Sequence, residues 1–535
     1  MLEKIVENWL TSTNERGYQI PFSQLLMLQG HTVLYVSKHG QMEQGKDLIT
    51  LDPDGVPCAY QLKAGNINLD RWREMQAQIQ ELVELPIAHP SIDKDTPFRA
   101  YLVTNGEIDD TVRRWIDDRN NSWSKKGLPT VNIIIKGELL RGFVAAQESS
   151  FPEASTSLRD FLELYLADGR DFVNKDRLAS FLDGLLLNDP GIQTKDVNRL
   201  HRVIATAAVI TQCLIAPFEK ERNYVGTLES WTMFCACVLA LVEQVRIPDK
   251  FWRPTYDIIT GRLHEQLEDL KTEFLSRENY IEQPALGDGG MVYQARLTIV
   301  LGWLCAFELS CLVNSSDWQL DKNLLVIIKR RFKEWFWYWG ESGTTYQIMI
   351  SLFAEAAGKD SVFWDILLDK LVEICVANTS DDPENGFPDP YTTVNEIVEA
   401  KIPPARNPLD RKQFSGLSYH LAPLVHHAAR LNKRIALNEL WKMISKICCC
   451  EYEPTHKWHY LLWRSNEGQD KTWFLKKTQS WSELKAIATK NEGSLPEILY
   501  ENPAFLYTLL LVYPHRLTTE ALRLVHEKTM SCAER

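Results

Sequence analysis

The cysteines of this chain lack the spacing of a zinc site. There are 11 of them and no Cys-x-x-Cys pair, and the two clusters, Cys235-Ala236-Cys237 and Cys448-Cys449-Cys450, do not have the separation that zinc ligands need. A secreted disulfide framework is not expected in so long a chain. The segment Met1–Glu7 lacks the basic and apolar regions of a signal peptide. We therefore expect a reducing, cytoplasmic location.

The chain also lacks an excess of positive charge. Its 59 Lys and Arg against 71 Asp and Glu give a net charge of −12. This is the wrong sign for a protein that simply coats nucleic acid, so any contact with DNA must be local. Arg71 and Arg73, just past the hairpin described below, are the candidates for such a contact. A second basic group could extend the patch; it comprises Arg113, Arg114, Lys125 and Lys126. The alternative for the whole patch is an ordinary solvated charged face.

No segment is a clear membrane span. The apolar run Leu297–Val313 approaches the necessary length, but Arg296 precedes it and Glu308 lies inside it. A buried helix within a helical bundle is therefore the better interpretation, and no membrane partner is expected.

The length of 535 residues exceeds what a single hydrophobic core usually holds, so two to four domains are expected. After about Glu148, apolar residues recur at intervals of three and four and strand signals are nearly absent. We predict an α/β domain over residues 1–147, a helical domain over 148–380, a loop or linker over 381–407 and a helical C-terminal subdomain over 408–535. The region after the first domain is thus predicted to be large and all-α.

The segment Asp52-Pro53-Asp54-Gly55 has the residue order of a type I turn. Apolar or β-branched residues precede it from Leu48, and the residues from Cys58 to Lys63 alternate at the period of a strand. A β-hairpin is therefore predicted, with Gln61 and Lys63 on one face of its second strand.

The register of this hairpin decides whether Asp47 joins that face. Regular pairing outward from the turn sets Asp47 opposite Tyr60. One extra residue near Val56-Pro57 would bring Asp47 opposite Gln61, and Pro57 makes an irregularity there plausible because it cannot donate a ladder hydrogen bond. In that register the Asp47 carboxylate and the Gln61 amide oxygen would be close enough to hold one cation.

These residue types suit metal-assisted hydrolysis. Mg²⁺ prefers oxygen ligands and keeps several waters, so Asp47, the Gln61 amide oxygen, the Leu62 backbone carbonyl and a substrate phosphate would suffice, and Mn²⁺ could substitute. Lys63 would orient the attacking water or offset charge in the transition state. The alternative for an isolated pattern of this kind is a solvent-exposed hairpin with one polar face.

The sequence from about Phe22 to Phe143 resembles the Mrr-type branch of the PD-(D/E)xK restriction-endonuclease-like superfamily. Five elements arrive in the order and spacing of that family, and no single motif among them is decisive. They are the helix and strand of Phe22–Gly30 and His31–Val36, the strand Gly45–Ile49, the QxK strand Tyr60–Lys63 followed by a helix from Asp70 to Leu85, the strand of Arg99–Gly106, and the closing strand and small helix of Val131–Leu140.

The resemblance implies a mixed central sheet flanked by helices and an Mg²⁺-dependent endodeoxyribonuclease whose catalytic residues are Asp47, Gln61 and Lys63. Many members of the family carry a glutamate on the first helix that assists metal binding, and Gln24 lies near that place here. Glu7, on an earlier predicted helix, and Glu43 are two other candidates for the missing acid. An inactive, DNA-binding descendant is the alternative for the whole domain.

Two later runs mix basic and aromatic side chains. One is Arg330–Trp339; the other extends from Lys457-Trp458-His459-Tyr460 through Trp473, Lys476 and Lys477 to Trp481. Such runs suit stacking on exposed bases or docking of a partner, although core packing is a common use of the rings.

Two functions are consistent with these features of the sequence. The first is a DNA endonuclease that acts as an effector of a prokaryotic anti-phage defence or restriction system, with the helical region as sensor or assembly element and with self-association or partner subunits. The second is a non-catalytic scaffold that binds nucleic acid or protein through a nuclease-like fold. RNA as substrate is a third possibility.

Overall fold

The computed structural model shows two compact units, Met1–Glu265 and Gln266–Arg535. The residues that the structure describes are 2–37, 44–147, 155–276, 289–330, 339–358, 363–379, 387–401, 416–464, 468–490 and 493–534. Two features singled out in the sequence lie wholly or largely outside them: Glu43 and most of the aromatic run at 330–339.

The first unit contains a mixed five-stranded sheet in the order β1-β2-β3-β4-β5. Strands β1 to β3 pair antiparallel, whereas β3, β4 and β5 pair parallel. The parallel strands are joined through helices, as this pairing requires. The strands are β1 (Thr32–Val36), β2 (Leu48–Leu51), β3 (Pro57–Lys63), β4 (Arg99–Thr104) and β5 (Val131–Ile134).

Helices cover both faces of this sheet, and the alternation of side chains along β3 explains why. Ala59 faces a core built with Trp72 and Ile79 of α3 and with residues of α4. Tyr60 and Leu62 face the opposite core, which contains residues of α1, α2 and α5. The helices are α1 (Leu2–Ser12), α2 (Glu15–Leu28), α3 (Leu69–Glu84), α4 (Asp110–Lys125) and α5 (Lys136–Gln147).

The rest of the first unit is helical, and Val209 and Cys213 of its longest buried helix join the core on the α1 and α2 side of the sheet. The α-helices here are α6 (Ser155–Tyr165), α7 (Lys175–Leu182), α8 (Pro190–Thr194), α9 (Val197–Lys220), α10 (Tyr224–Val245) and α11 (Arg253–Ser276). A π-helical turn, Asp183–Leu187, follows α7 directly. The boundary between the units falls within α11.

The second unit is largely helical. Its α-helices are α12 (Gly289–Asn314), α13 (Lys322–Arg330), α14 (Glu341–Gly358), α15 (Trp364–Thr379), α16 (Val394–Lys401), α17 (Leu421–Arg430), α18 (Arg434–Ile444), α19 (Trp481–Thr489), α20 (Glu497–Glu501), α21 (Pro503–Val512) and α22 (Thr519–Ala533). Helix α16 lies inside the segment 381–407 that the sequence suggested as a loop, and Ile397 of this helix is buried.

The prediction that everything after the first domain is all-α is wrong in one respect. The second unit contains a three-stranded sheet in the order β6-β7-β8, formed by Leu417–Ser418, Cys448–Pro454 and Gly468–Phe474. Most residues of β8 are exposed, so its sequence shows no alternation of apolar and polar positions. Pairing with β7, whose Cys449 and Cys450 are buried, creates this strand.

Three helices are long and apolar enough to cross a membrane by length and composition alone: α9, α10 and the part of α12 from Val292 to Asn314. The apolar windows of these helices are 78%, 94% and 83% buried inside the protein. The run at Leu297–Val313 is thus a buried helix, as its sequence predicted, and the carboxylate of Glu308 within it pairs with the Lys271 ammonium at 2.7 Å.

Candidate functional site

The predicted shift in the hairpin register is confirmed. Leu48 pairs with Tyr60 and Leu51 with Pro57, which sets Asp47 opposite Gln61. The extra residue lies in the turn and not at Pro57, because the loop has three residues and is closed by the bond from the Asp52 amide to the Val56 carbonyl at 2.9 Å. Gly55 takes a φ of +79° in this loop, a left-handed conformation that glycine adopts without strain.

The Asp47 carboxylate holds the two strands together at the buried end of the hairpin. Its Oδ2 accepts hydrogen bonds from Gln61 Nε2 and from the Leu62 amide, both at 2.6 Å. Asp47 and Gln61 are 8% and 4% exposed, so these bonds are shielded from water. The Gln61 amide therefore presents its nitrogen to Asp47, whereas the sequence suggested that its oxygen would share a cation with that carboxylate.

A glycine fixes the path of the chain into Asp47. Gly45 has a φ of +70°, and a Cβ at this position would lie 2.4 Å from the Gln78 carbonyl oxygen of α3. Only a residue without a side chain permits this approach of two backbones. The glycine two residues before the aspartate thus lets the start of β2 pack against α3.

Lys63 lies at the end of β3, 7% exposed, and its ammonium is 3.7 Å from the Glu15 carboxylate. Glu15 also accepts a hydrogen bond from the Ala64 amide at 3.3 Å. The structure therefore brings an acid on the first long helix to the hairpin lysine. Sequence reasoning missed Glu15.

Glu15 was missed because α2 begins earlier in the chain than the sequence suggested. The resemblance suggested a helix from about Phe22. The helix instead begins at Glu15, with Pro21 inside it and with the Asn14 side chain accepting a bond from the Gly17 amide at 2.8 Å. The pair Asn14-Glu15, a capping residue followed by an acid in the first turn, is the sequence signal that would have located this helix start.

Two further polar residues of α2 contact the hairpin. Tyr18 donates to the Lys63 carbonyl at 2.8 Å, and Gln19 Nε2 donates to the Asp47 carbonyl at 3.3 Å. Burial raises the pKa of Tyr18 well above its usual value, as does the nearby Glu15 carboxylate, so Tyr18 remains a neutral donor. Positions 15, 18 and 19 share one face of a helix, and this face supports both strands of the hairpin.

The two basic residues expected to bind nucleic acid have different surroundings. The Arg71 guanidinium is 3.7 Å from the Glu15 carboxylate and 3.9 Å from Glu74, so it lies beside Lys63. Arg73 pairs with Asp70 of its own helix at 3.1 Å and is 61% exposed. Arg71 therefore belongs to the site, and Arg73 lies on the outer surface of α3.

Two of the three residues that the sequence suggested as additional metal ligands have other partners. Glu7 pairs with Lys136 at 3.0 Å, and Gln24 is buried and accepts a hydrogen bond from Thr255 at 2.7 Å. Glu43 lies outside the described residues. Among the groups that the structure describes, Glu15 is the acid beside the hairpin lysine.

The residues present fit a weakly held, hydrated hard cation. Gln61 Oε1 is buried and has no hydrogen-bond partner within the described ranges, which leaves an oxygen ligand available. Asp47 and Gln61, together with the Leu62 carbonyl, would hold such an ion, with Glu15 adding negative charge. No group of three His, Cys, Asp or Glu able to hold a metal occurs within the described part of the chain, so the site depends on amide, backbone and water oxygens.

Comparisons of this chain with protein-family models, with curated proteins and with solved structures gave no match. Any function of this chain must therefore be inferred from its residues and their geometry.

Proposed function

We propose that the first unit is a metal-dependent endonuclease that hydrolyses phosphodiester bonds in DNA. The fold supports this proposal, because three antiparallel strands followed by two parallel ones, in consecutive order, agree with the arrangement expected for a restriction-endonuclease-like domain. The helices and strands from α2 to α5 also follow one another in the order that the resemblance to Mrr-type nucleases implies.

The observation that carries the proposal is a cluster of four polar groups at one end of a hairpin, three of them buried. Asp47, Gln61 and Lys63 are each less than 10% exposed, and Glu15 closes the group from α2. Burying a carboxylate, an amide and an ammonium costs free energy that a purely structural hairpin could avoid with apolar residues. Such costly clusters are typical of functional sites.

Each residue has a role that follows from its contacts. Asp47 and the Leu62 carbonyl would hold Mg²⁺ or Mn²⁺, with Gln61 Oε1 as a neutral ligand; the bound ion would supply an activated water and polarise the scissile phosphate. Lys63, oriented by Glu15, holds its ammonium where it can donate to that water or to a phosphate oxygen. Arg71 adds a second positive group for the phosphate beside the same carboxylate.

The helical remainder would sense a trigger or assemble the active form, so that the protein acts as an effector of anti-phage defence or restriction in the cytoplasm of a prokaryote. The support for this part is the architecture: a small α/β domain is followed by a much larger helical region. Cutting both strands of a duplex requires two sites, and we expect self-association or a partner subunit for that reason.

One observation favours a second candidate, a non-catalytic binding scaffold. The amide nitrogen of Gln61 donates to Asp47, which ties the two side chains to each other. A half-turn of the amide would place Oε1 toward the carboxylate, and a cation between the two oxygens would supply the energy for that turn. Without a cation the hydrogen bond serves as a structural clasp.

Cleavage of plasmid and linear duplex DNA by the purified full chain, with Mg²⁺ or Mn²⁺, separates the two candidates. We expect the wild-type protein and the exposed-lysine control Lys4→Ala to cut, and Lys63→Ala to lose cutting while its thermal unfolding midpoint stays near that of the wild type. Parallel reactions with duplex and single-stranded RNA test the substrate. Equal cutting by wild type and Lys63→Ala would refute the assignment of the site, and DNA binding without cutting under all conditions would favour the scaffold.

A further inference from the structure

Asn105 follows β4 directly and is almost completely buried, with an exposure of 3%. Strands β3 and β4 run parallel, and Lys63 pairs with Thr104 at their common end. The residues just after the two strands therefore lie side by side at the same edge of the sheet. Asn105 is thus placed beside the turn that begins after the hairpin lysine.

The oxygen of the Asn105 side chain holds this turn. Asn105 Oδ1 accepts a hydrogen bond from the Gly65 amide at 2.6 Å. The hydroxyl of Thr104, the preceding residue, donates to the Gly65 carbonyl at 2.7 Å. Both backbone groups of Gly65 are therefore bonded to consecutive side chains at the end of β4. Since Gly65 is two residues past Lys63, these bonds fix the end of the strand that carries the lysine.

The nitrogen of the same side chain holds a different part of the chain. Asn105 Nδ2 donates to the Leu10 carbonyl at 2.6 Å and to the Thr13 carbonyl at 2.9 Å. Leu10 lies in the last turn of α1, where carbonyl groups have no partner within the helix. Thr13 lies two residues before Glu15, the acid that pairs with Lys63. One amide therefore joins the end of α1 and the start of α2 to the turn after β3.

The three bonds use the oxygen and both N–H groups of the Asn105 amide, so its orientation is fixed. A buried amide costs free energy unless its polar groups are bonded, and here each bond goes to a backbone group at a different point of the chain. A residue that only capped α1 would need no bond to Gly65. The bond to Gly65 connects the end of α1 to the segment of the hairpin lysine.

The contacts between Lys63 and Glu15 cross between the two segments that Asn105 joins. The Lys63 ammonium and the Glu15 carboxylate are 3.7 Å apart, and this carboxylate also accepts from the Ala64 amide at 3.3 Å. A shift of one segment against the other would change both distances. Catalytic groups must keep such distances closely, because a displacement of about 1 Å can lower a rate by about 100-fold.

We propose that Asn105 is a positioning residue of the nuclease site, which holds the Lys63 ammonium and the Glu15 carboxylate in the arrangement that cutting requires. Its effect on cutting rests on the proposed function, whereas its effect on the position of Lys63 does not. Thr104 supports it through the second bond to Gly65. Through the same amide, the end of α1 becomes part of the support of the site.

The variant Asn105→Asp tests this role, because it keeps the size and the acceptor of the side chain but removes both N–H donors. Its carboxylate would face the Leu10 and Thr13 carbonyls and repel them. With Mg²⁺ and saturating duplex DNA, we expect kcat to fall by about tenfold to 100-fold, since the catalytic groups are displaced. The KM for DNA should change little, because no group that would contact the phosphate loses its charge.

Labelling of lysines with acetic anhydride, quantified by peptide mass spectrometry, reports the position of Lys63 without any cutting. In the wild type, Lys63 is paired with Glu15 and only 7% exposed, so it should react slowly. We expect Lys63 to react several-fold faster in Asn105→Asp. The exposed Lys126 serves as the internal reference and should react equally in both proteins.

Two comparisons separate positioning from a general loss of stability. Asn120→Asp makes the same change in another asparagine, whose side chain bonds both backbone groups of Val131 at 2.8 and 3.0 Å. It should lower the unfolding midpoint without changing kcat or the labelling of Lys63. Thr104→Val removes the bond to the Gly65 carbonyl and should lower kcat, whereas Thr104→Ser keeps the hydroxyl and should restore it.

Equal labelling of Lys63 in the wild type and in Asn105→Asp would overturn the proposal, and so would an equal kcat when the wild type cuts. A fall in kcat of the same size in Asn120→Asp would overturn it too, since loss of stability alone would then explain the effect. Absence of cutting by the wild type would contradict the proposed function, and the labelling would still decide whether Asn105 positions Lys63.

Discussion

Replacing Asp47 with alanine should destabilise the first unit as well as stop cutting. The Oδ2 atom of Asp47 accepts two buried bonds at 2.6 Å, so Asp47→Ala leaves Gln61 Nε2 and the Leu62 amide without their acceptor. A buried donor left unpaired costs about 1 to 3 kcal/mol, so the loss should be roughly 2 to 6 kcal/mol of unfolding free energy. For a unit of this size each kcal/mol lowers the unfolding midpoint by about 2 to 4 °C. The expected decrease is therefore roughly 4 to 24 °C.

Asp47→Asn separates stability from chemistry. Its amide oxygen can still accept from the Leu62 amide, so we expect a smaller decrease of the midpoint than for alanine, with cutting still lost because the negative charge that holds a cation is gone. Differential scanning calorimetry gives the midpoints, and hydrogen exchange reports the Leu62 amide directly. That amide should exchange faster in Asp47→Ala than in the wild type, because its bond to Asp47 is absent.

Unfolding of Asp47→Ala within about 1 °C of the wild type, with its Leu62 amide still protected, would contradict this prediction. Such a result would mean that the carboxylate does not join the strands as the geometry indicates. Gln24→Ala, another buried side chain in a polar contact but away from the hairpin, is a control for general loss of stability.

Three other changes test separate features. Glu15→Gln should lower cutting at least tenfold. It should shift the unfolding midpoint by less than about 2 °C, because the Glu15 side chain is 30% exposed and its ion pair with Lys63 contributes little stability. The control Glu74→Gln should change neither the cutting rate nor the midpoint. Gly45→Ala should lower the free energy of unfolding in urea by more than about 1 to 2 kcal/mol, because the strain of alanine at positive φ adds to the clash of its Cβ with α3. Gly55→Ala has free space around its Cβ and should show the backbone strain alone. Burial raises the pKa of Glu341 from its ordinary 4.5 to about 7, so the fold favours the protonated acid and stability is lost as pH rises from about 4.5 through 7. Glu341→Gln should remove this loss, which amounts to about 3 kcal/mol in total, and an equal loss in both proteins would contradict it.

Much of the sheet domain could be predicted from the sequence, because the signals for its helices and strands are local. The helix predicted at Asp70–Leu85 is observed at Leu69–Glu84, and the predicted strand that begins at Arg99 is present. Each of these elements has a clear apolar period and a turn or cap at its ends. The hairpin register was also predicted, although its extra residue is Gly55 and not Pro57.

The parts that the sequence did not predict depend on contacts between distant residues. Strand β8 has no strand pattern of its own and forms because β7 offers a partner. Glu15 was missed because the predicted helix began only at Phe22, whereas α2 begins at Glu15 and continues through Pro21. Pairing with a distant strand therefore decided β8, whereas the start of α2 had a local signal in Asn14 and Glu15.

The sequence alone determined that Gln61 and Lys63 lie on one face of a strand, because the period of two is a property of the extended backbone. It also identified the glycine two residues before Asp47 and the polar side chains that the hairpin contributes to the site. Only the tertiary structure decided which acid reaches Lys63 and which atom of Gln61 faces Asp47. Periodicity and turn chemistry operate over a few residues, whereas the packing of α2 on the hairpin joins residues almost fifty positions apart. A single sequence does not specify such long-range packing in any local pattern.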